Sequence, residues 1–131
     1  MDRALLNAWV EAYERAWRTP GTEVLSELFA PGATYSTAPF QAPYRGLEAI
    51  AELWEAEREG PDEVFRMESE ILAVEGNTGV VRVDVRYGEP VQRLYRDLWI
   101  VKLDGEGRCV AFEEWPFWPE EGQAHHAPGP S

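Results

Sequence analysis

Between residue 2 and about residue 18, apolar side chains fall at Leu5, Leu6, Trp9, Val10, Tyr13, Ala16 and Trp17, the three- and four-residue spacing of one helix face. Thr19-Pro20-Gly21 ends that helix, and Thr22 is placed to cap a short second helix reaching Phe29. Pro31-Gly32 then turns the chain into a strand over residues 33–38, and a loop punctuated by Pro39 and Pro43 leads to Gly46. A third helix is predicted over residues 47–58, with Ile50, Leu53 and Trp54 inward and Glu59-Gly60-Pro61 as its stop. From there the period changes to two. Residues 64–74 form a strand with Arg66, Glu68 and Glu70 on one side, and Gly76-Asn77-Thr78-Gly79 is a turn. Residues 80–87 alternate cleanly, Val81, Val83, Val85 and Tyr87 opposite Arg82, Asp84 and Arg86, and Gly88-Glu89-Pro90 leads onward.

The strongest local signal lies in residues 91–118, where two arms rich in aromatic and β-branched residues flank Asp104-Gly105-Glu106-Gly107. Tyr95, Asp97, Trp99, Val101 and Leu103 share one face of the first arm, and Leu94, Arg96, Leu98, Ile100 and Lys102 the other. On the second arm Val110, Phe112 and Glu114 alternate with Cys109, Ala111, Glu113 and Trp115. Neither face is simply polar, so both are expected to be at least partly covered. Helix, helix, strand, helix and four antiparallel strands make an α+β domain, and a strongly curved sheet around helices leaves a cavity at its open end. The ordered domain is expected to span residues 1–119, followed by an aperiodic tail, 120–131, expected to be disordered.

Composition sharpens this. A chain of 131 residues, 44% hydrophobic, suits one globular domain, and no apolar run approaches the ~20 residues of a membrane helix. A net charge of −12 repels phosphate backbones and anionic lipid, so neither nucleic acid nor membrane is expected as a partner. The single Cys109 excludes an intrachain disulfide, and with no secretory leader pattern a cytoplasmic location is expected. His125-His126 lacks a third ligand in fixed register, and no nucleotide fingerprint or phosphate loop is present, so neither metal nor cofactor is expected.

Three stretches together resemble the nuclear-transport-factor-2-like superfamily, and its SnoaL-like (polyketide-cyclase-like) branch in particular. They are Leu28-Phe29-Ala30-Pro31-Gly32-Ala33-Thr34-Tyr35, Gly46 opening a helix at Glu48-Ala49-Ile50, and the hairpin ending Phe112-Glu113-Glu114-Trp115. The resemblance implies a cone-shaped, cystatin-like α+β fold with a deep pocket and a homodimer formed through the outer sheet face. It fixes no single activity. Tyr13 falls where ketosteroid isomerases carry their oxyanion-hole tyrosine. Thr37 and Trp99 stand near the places of those enzymes' two aspartates, so that chemistry lacks its base. Limonene-epoxide hydrolases offer a closer secondary resemblance. Tyr35, Thr37, Ala38 and Pro39 resemble their water-positioning segment, Arg82-Val83-Asp84 their Arg-x-Asp pair, and Glu114 takes the place of their second aspartate. SnoaL-type cyclases also place an acid/base carboxylate at or beside Glu114.

These resemblances nominate Glu114, Asp84 and Arg82 as candidate catalytic residues and Tyr13, Trp17, Tyr35, Thr37, Trp54, Asp97, Trp99 and Phe112 as candidate substrate-binding residues. Glu114 in an apolar pocket would have a raised pKa suited to acid/base work. The alternation of residues 80–87 leaves two choices. Either Arg82 and Asp84 face the pocket, or the valines do. The reading is a SnoaL-like protein that binds an apolar small molecule in an aromatic pocket and uses cofactor-free acid/base chemistry if it is an enzyme. The alternatives are an epoxide-hydrolase-like enzyme built on Arg82, Asp84 and Glu114, and a non-catalytic interaction module.

Overall fold

In the computed structural model, which describes residues 1–58 and 63–119, Asp2 starts helix α1 (Arg3–Arg18) by accepting a 2.8 Å hydrogen bond from the Leu5 N–H. Leu6, Trp9, Val10, Tyr13 and Ala16 are buried along one face, as their spacing predicts. The second helix is shorter than expected: α2 is one turn (Leu25–Leu28), and Phe29 is already extended. Strand pairing wins here, because β1 (Phe29–Ser36) begins at once with Phe29 opposite Cys109 on the last strand, β6 (Cys109–Phe117). Pro31-Gly32 therefore sits inside β1 rather than before it. The register jumps from Phe29–Cys109 to Thr34–Ala111, an irregularity that absorbs the missing N–H of proline.

The proline-rich loop hides a short strand, β2 (Tyr44–Arg45), which pairs with β1 through Thr34–Arg45 and Tyr35–Tyr44. Gly46 then adopts φ 91°, a conformation costly for other residues, and α3 (Leu47–Glu57) follows with Ile50 and Trp54 buried. Three hairpin-connected strands complete the sheet: β3 (Phe65–Glu75), β4 (Thr78–Tyr87) and β5 (Arg93–Leu103), the last returning into β6. At the final turn Asp104 Oδ1 accepts from the Glu106 and Arg108 N–H groups at 2.8 and 3.0 Å. There it is Gly107, at φ 83°, that supplies the positive angle.

The sheet has six strands in the order β2-β1-β6-β5-β4-β3. The expected α+β architecture is present, with two corrections. The β1–β6 pair is parallel, so the sheet is mixed, and the curved sheet stays open instead of closing into a barrel. Period-two alternation decides what faces the helices: Val81, Val83, Trp99, Val101 and Phe112 are buried, while Arg82, Leu98 and Lys102 are exposed. Trp9 sits at the core centre, its ring edge-on to Phe29 (5.7 Å) and Trp99 (6.4 Å), and its Nε1 donates to the Leu28 carbonyl at 3.0 Å. Among the described residues no helix is long and apolar enough to cross a membrane. The predicted stop at Glu59-Gly60-Pro61 and the tail 120–131, with His125-His126, lie outside the described residues.

Gly79, which pairs with Val101, lies directly under the fully buried Leu6 side chain of α1. A Cβ there would overlap Leu6, whose own surroundings leave it no room to yield. Gly79→Ala is expected to lower unfolding stability by ~1–3 kcal/mol in urea titrations, whereas Gly105→Ala, whose new methyl meets nothing, should be near neutral.

Candidate functional site

Between the concave face of the sheet, the end of α1, α3 and the loop after β1 lies a cavity of about 340 Å³. Helices supply Tyr13, Trp17, Leu53, Trp54 and Glu57; the β1–β2 corner supplies Tyr35, Thr37 and Tyr44. The sheet contributes Phe65, Met67, Val85 and Tyr87, then Tyr95, Asp97 and Trp99, and finally Glu114 and Pro116, with Glu63 and Arg93 completing the wall. Inward alternation places the polar members: Asp97 and Trp99 share a face of β5, and the β5–β6 register sets Glu114 opposite Trp99 and Pro116 opposite Asp97.

Three hydroxyl and carboxyl groups form a chain at the floor. The Tyr35 hydroxyl donates to Glu114 Oε1 at 3.2 Å and lies 2.6 Å from the Tyr13 hydroxyl. With its proton committed to the glutamate, Tyr35 is an acceptor for Tyr13, so the order runs Tyr13 to Tyr35 to Glu114. Burial, reinforced by the nearby Glu114 charge, holds both tyrosine pKa values well above 10.0, so both stay neutral donors.

Glu114 and Asp97 line the same floor, one pair apart across β5 and β6, close enough for each to shift the other's proton affinity. Asp97 is 6% exposed; its Oδ2 accepts from Trp99 Nε1 at 3.3 Å, while Oδ1 receives no N–H or O–H donor of the chain among the described residues. Two buried carboxyls so placed cannot both ionise easily, so one of them favours keeping its proton. Burial raises both groups, Asp97 to about 6 and Glu114 to about 8, the latter pushed further by the Asp97 charge. The pair thus keeps a proton to give and an oxygen to receive one near neutrality.

Among the sequence-predicted residues, Tyr13, Trp17, Tyr35, Thr37, Trp54, Asp97, Trp99 and Glu114 all line the cavity. Phe112 does not. It is buried behind the wall, 4.6 Å from Tyr35 and 5.1 Å from Trp99 between ring centroids, and holds those rings in place. Arg82 and Asp84 are on the other side of the sheet. Val81 and Val83 take the inner face, and desolvating two charges in their stead would cost far more than burying valines. Arg82 pairs there with Glu70, and Asp84 with Arg96 at 2.7 and 3.0 Å, which lowers the aspartate's pKa. The expected convergence of Arg82, Asp84 and Glu114 is therefore not formed, and Asp97 stands beside Glu114 instead. The outer ring of the cavity, Glu57, Glu63, Tyr87, Arg93 and Tyr95, was not nominated from the sequence, although Arg93 and Tyr95 share the face of Asp97 and Trp99. The inward parity of Tyr87 and Tyr95 was available from the alternation; the approach of Glu57 and Glu63 was not.

A carboxyl that folding raises binds more protons in the native than in the unfolded chain between its ordinary and its raised pKa, so stability falls as pH rises through that window. For Asp97 and Glu114 the window runs from 3.8 and 4.5 to about 6 and about 8. Asp84, which is lowered, acts only on more acidic ground. Denaturation midpoints measured from pH 5 to 8.5 are expected to decline in the natural sequence and to flatten in Glu114→Gln.

The fold and sequence have known counterparts. A candidate polyketide cyclase from Sinorhizobium meliloti is similar at 25% identity, over 82% of this chain and 93% of that one, with a TM-score of 0.61. A candidate isomerase of the SnoaL-like family from Agrobacterium tumefaciens is 20% identical over 85% and 96% of the two chains, with a TM-score of 0.65. A protein with a cystatin-like fold from Methylobium petroleophilum superposes with a TM-score of 0.68 at 14% identity, covering 93% and 82%. No curated protein sequence matches the chain. Residues 10–115 match the SnoaL-like domain, and the chain belongs to that family.

Proposed function

We propose that this SnoaL-like protein binds a flat, largely apolar small molecule in its aromatic cavity and moves protons on it without a cofactor. The observation that carries this reading is the pair Asp97–Glu114, wired through Tyr35 to Tyr13 and set among tryptophan and tyrosine rings in an open volume of about 340 Å³. Glu114 is the general acid or base, Asp97 sets its proton affinity, and the neutral tyrosines donate to charge that develops on a ligand oxygen. The likeness to a candidate polyketide cyclase at 25% identity supports a small-molecule substrate. The outward placement of Arg82 and Asp84 speaks against the epoxide-hydrolase-like reading. The open volume, not plugged by the protein's own tryptophans, speaks against a vestigial cavity in a pure interaction module.

2-Tetralone, a flat ketone with acidic α-hydrogens, tests both halves. Binding followed by calorimetry and deuterium uptake at its α-carbon in heavy water are both expected, with exchange falling ~10²–10⁴-fold in Glu114→Gln while binding persists. Binding without exchange would leave a carrier rather than a catalyst; neither binding nor exchange sinks the reading.

We also propose a homodimer through the outer sheet face. Leu98, Trp115 and Phe117 are 38%, 37% and 39% exposed there, and the register aligns Arg82–Leu98–Trp115 and Asp84–Arg96–Phe117 in adjoining rows. Each row joins charge to apolar surface, so a two-fold rotation lets the face complement itself. Sedimentation equilibrium is expected to give a dimer, and Leu98→Glu with Trp115→Glu a folded monomer; a monomeric natural sequence refutes the proposal.

A further inference from the structure

The cavity wall is lopsided in charge. Among the described residues, Glu57, Glu63, Asp97 and Glu114 line it, against Arg93 as the basic side chain. Arg93 itself lies over the Tyr87 ring, 4.9 Å from its centroid. Glu63 is held at the wall by the Trp17 Nε1, which donates to it at 3.1 Å, and the charge of Glu57 is felt at Glu114. The arginines that balance carboxylates elsewhere are spent on the far side of the sheet, where Arg82, Arg86 and Arg96 pair with Glu70, Glu68 and Asp84. An anionic ligand would therefore meet a wall that holds more carboxyls than arginines among the described residues.

One oxygen of the Asp97 carboxyl also lacks a donor. Asp97 is buried, yet its Oδ1 receives no hydrogen bond from an N–H or hydroxyl of the chain among the described residues. Its neighbour Glu114 is another acceptor unless protonated. A cationic group bearing several N–H donors would satisfy both carboxylates once the proton they hold leaves to solvent. The rings around it favour the same ligand, because tryptophan and tyrosine faces attract a cation through their quadrupoles. They already do so within the fold: the Arg58 guanidinium stands 5.9 and 5.8 Å from the Trp17 and Trp54 ring centroids.

We propose that the ligand of this cavity is an arylalkyl or alicyclic amine, its ammonium group seated against Asp97 Oδ1 beside Glu114 and its apolar body against Trp17, Trp54 and Trp99. The proposal rests on the reading of the cavity as a small-molecule site and narrows its ligand to one charge class. It also assigns Glu63 as a specificity-determining residue that draws the cation inward.

Three indole probes of nearly one shape separate charge from shape: tryptamine (cation), tryptophol (neutral) and indole-3-acetate (anion). Calorimetry on the full chain at neutral pH is expected to rank them in that order, tryptamine binding at least about ten-fold tighter than tryptophol. Glu63→Gln, at the wall and outside the buried pair, should narrow that gap by weakening tryptamine more than tryptophol. Asp97→Asn with Glu114→Gln should abolish it; if that variant does not fold, the ranking by the natural sequence still decides. Tryptophol binding as tightly as tryptamine, or indole-3-acetate binding best, overturns the inference and leaves the small-molecule site standing. Failure of all three, together with failure of 2-tetralone, removes the site and the inference with it.

Discussion

Val81 and Val83 on β4 and Trp99 and Val101 on β5 have almost no surface left in water, and the valines each stand beside a charged neighbour pointing the other way. A one-residue slip of β4 would turn Arg82 and Asp84 inward and strand its valines outside, and a slip of β5 would do the same with Arg96 and Lys102. That parity is what the site depends on. It brings Asp97 inward beside Trp99, carries through the β5–β6 register to set Glu114 opposite Trp99, and leaves the ion pairs on the convex face. The apolar row decides, because burying methyl groups releases water whereas burying a guanidinium or carboxylate strips it.

Within that frame the carboxylate pair is a local concession by the fold. A core that otherwise excludes charge keeps two acids side by side, with a tyrosine hydroxyl and an indole N–H as their donors. Such a pair weakens the protein as it ionises. Residues that lower stability yet sit at the floor of a cavity are where strain and function coincide.

The sequence spoke clearly where one period dominated. The amphipathic face of α1, the valine alternation of β4 and the hairpin at Asp104 were all readable, and with them the α+β class. Pro31-Gly32 misled because its turn chemistry was absorbed as an irregularity inside a strand pairing with residues nearly eighty positions later, a tertiary constraint no local rule contains. Arg82-Val83-Asp84 misled because a three-residue likeness is silent about which face it occupies. Glu114 was recognised, but its partner was not. The Asp97–Glu114 pair depends on a register shift between Lys102 and Leu103 that sets which β6 residue faces Trp99, and moving that register by one would offer Glu113 instead. Alternation gives the face; only the completed turn gives the partner.

The parallel seam between β1 and β6 has a consequence in time. Tyr35 and the glutamate it serves are 79 residues apart, and β1 has no wide neighbour until β6 arrives, since β2 offers it only two paired residues. The three hairpins can form from local contacts as the chain emerges, but this seam closes a loop spanning most of the domain. Assembly of the cavity is therefore a late event, and a chain halted before β6 would carry an intact helix α1 and an unpaired strand edge, the combination most prone to stick to its neighbours.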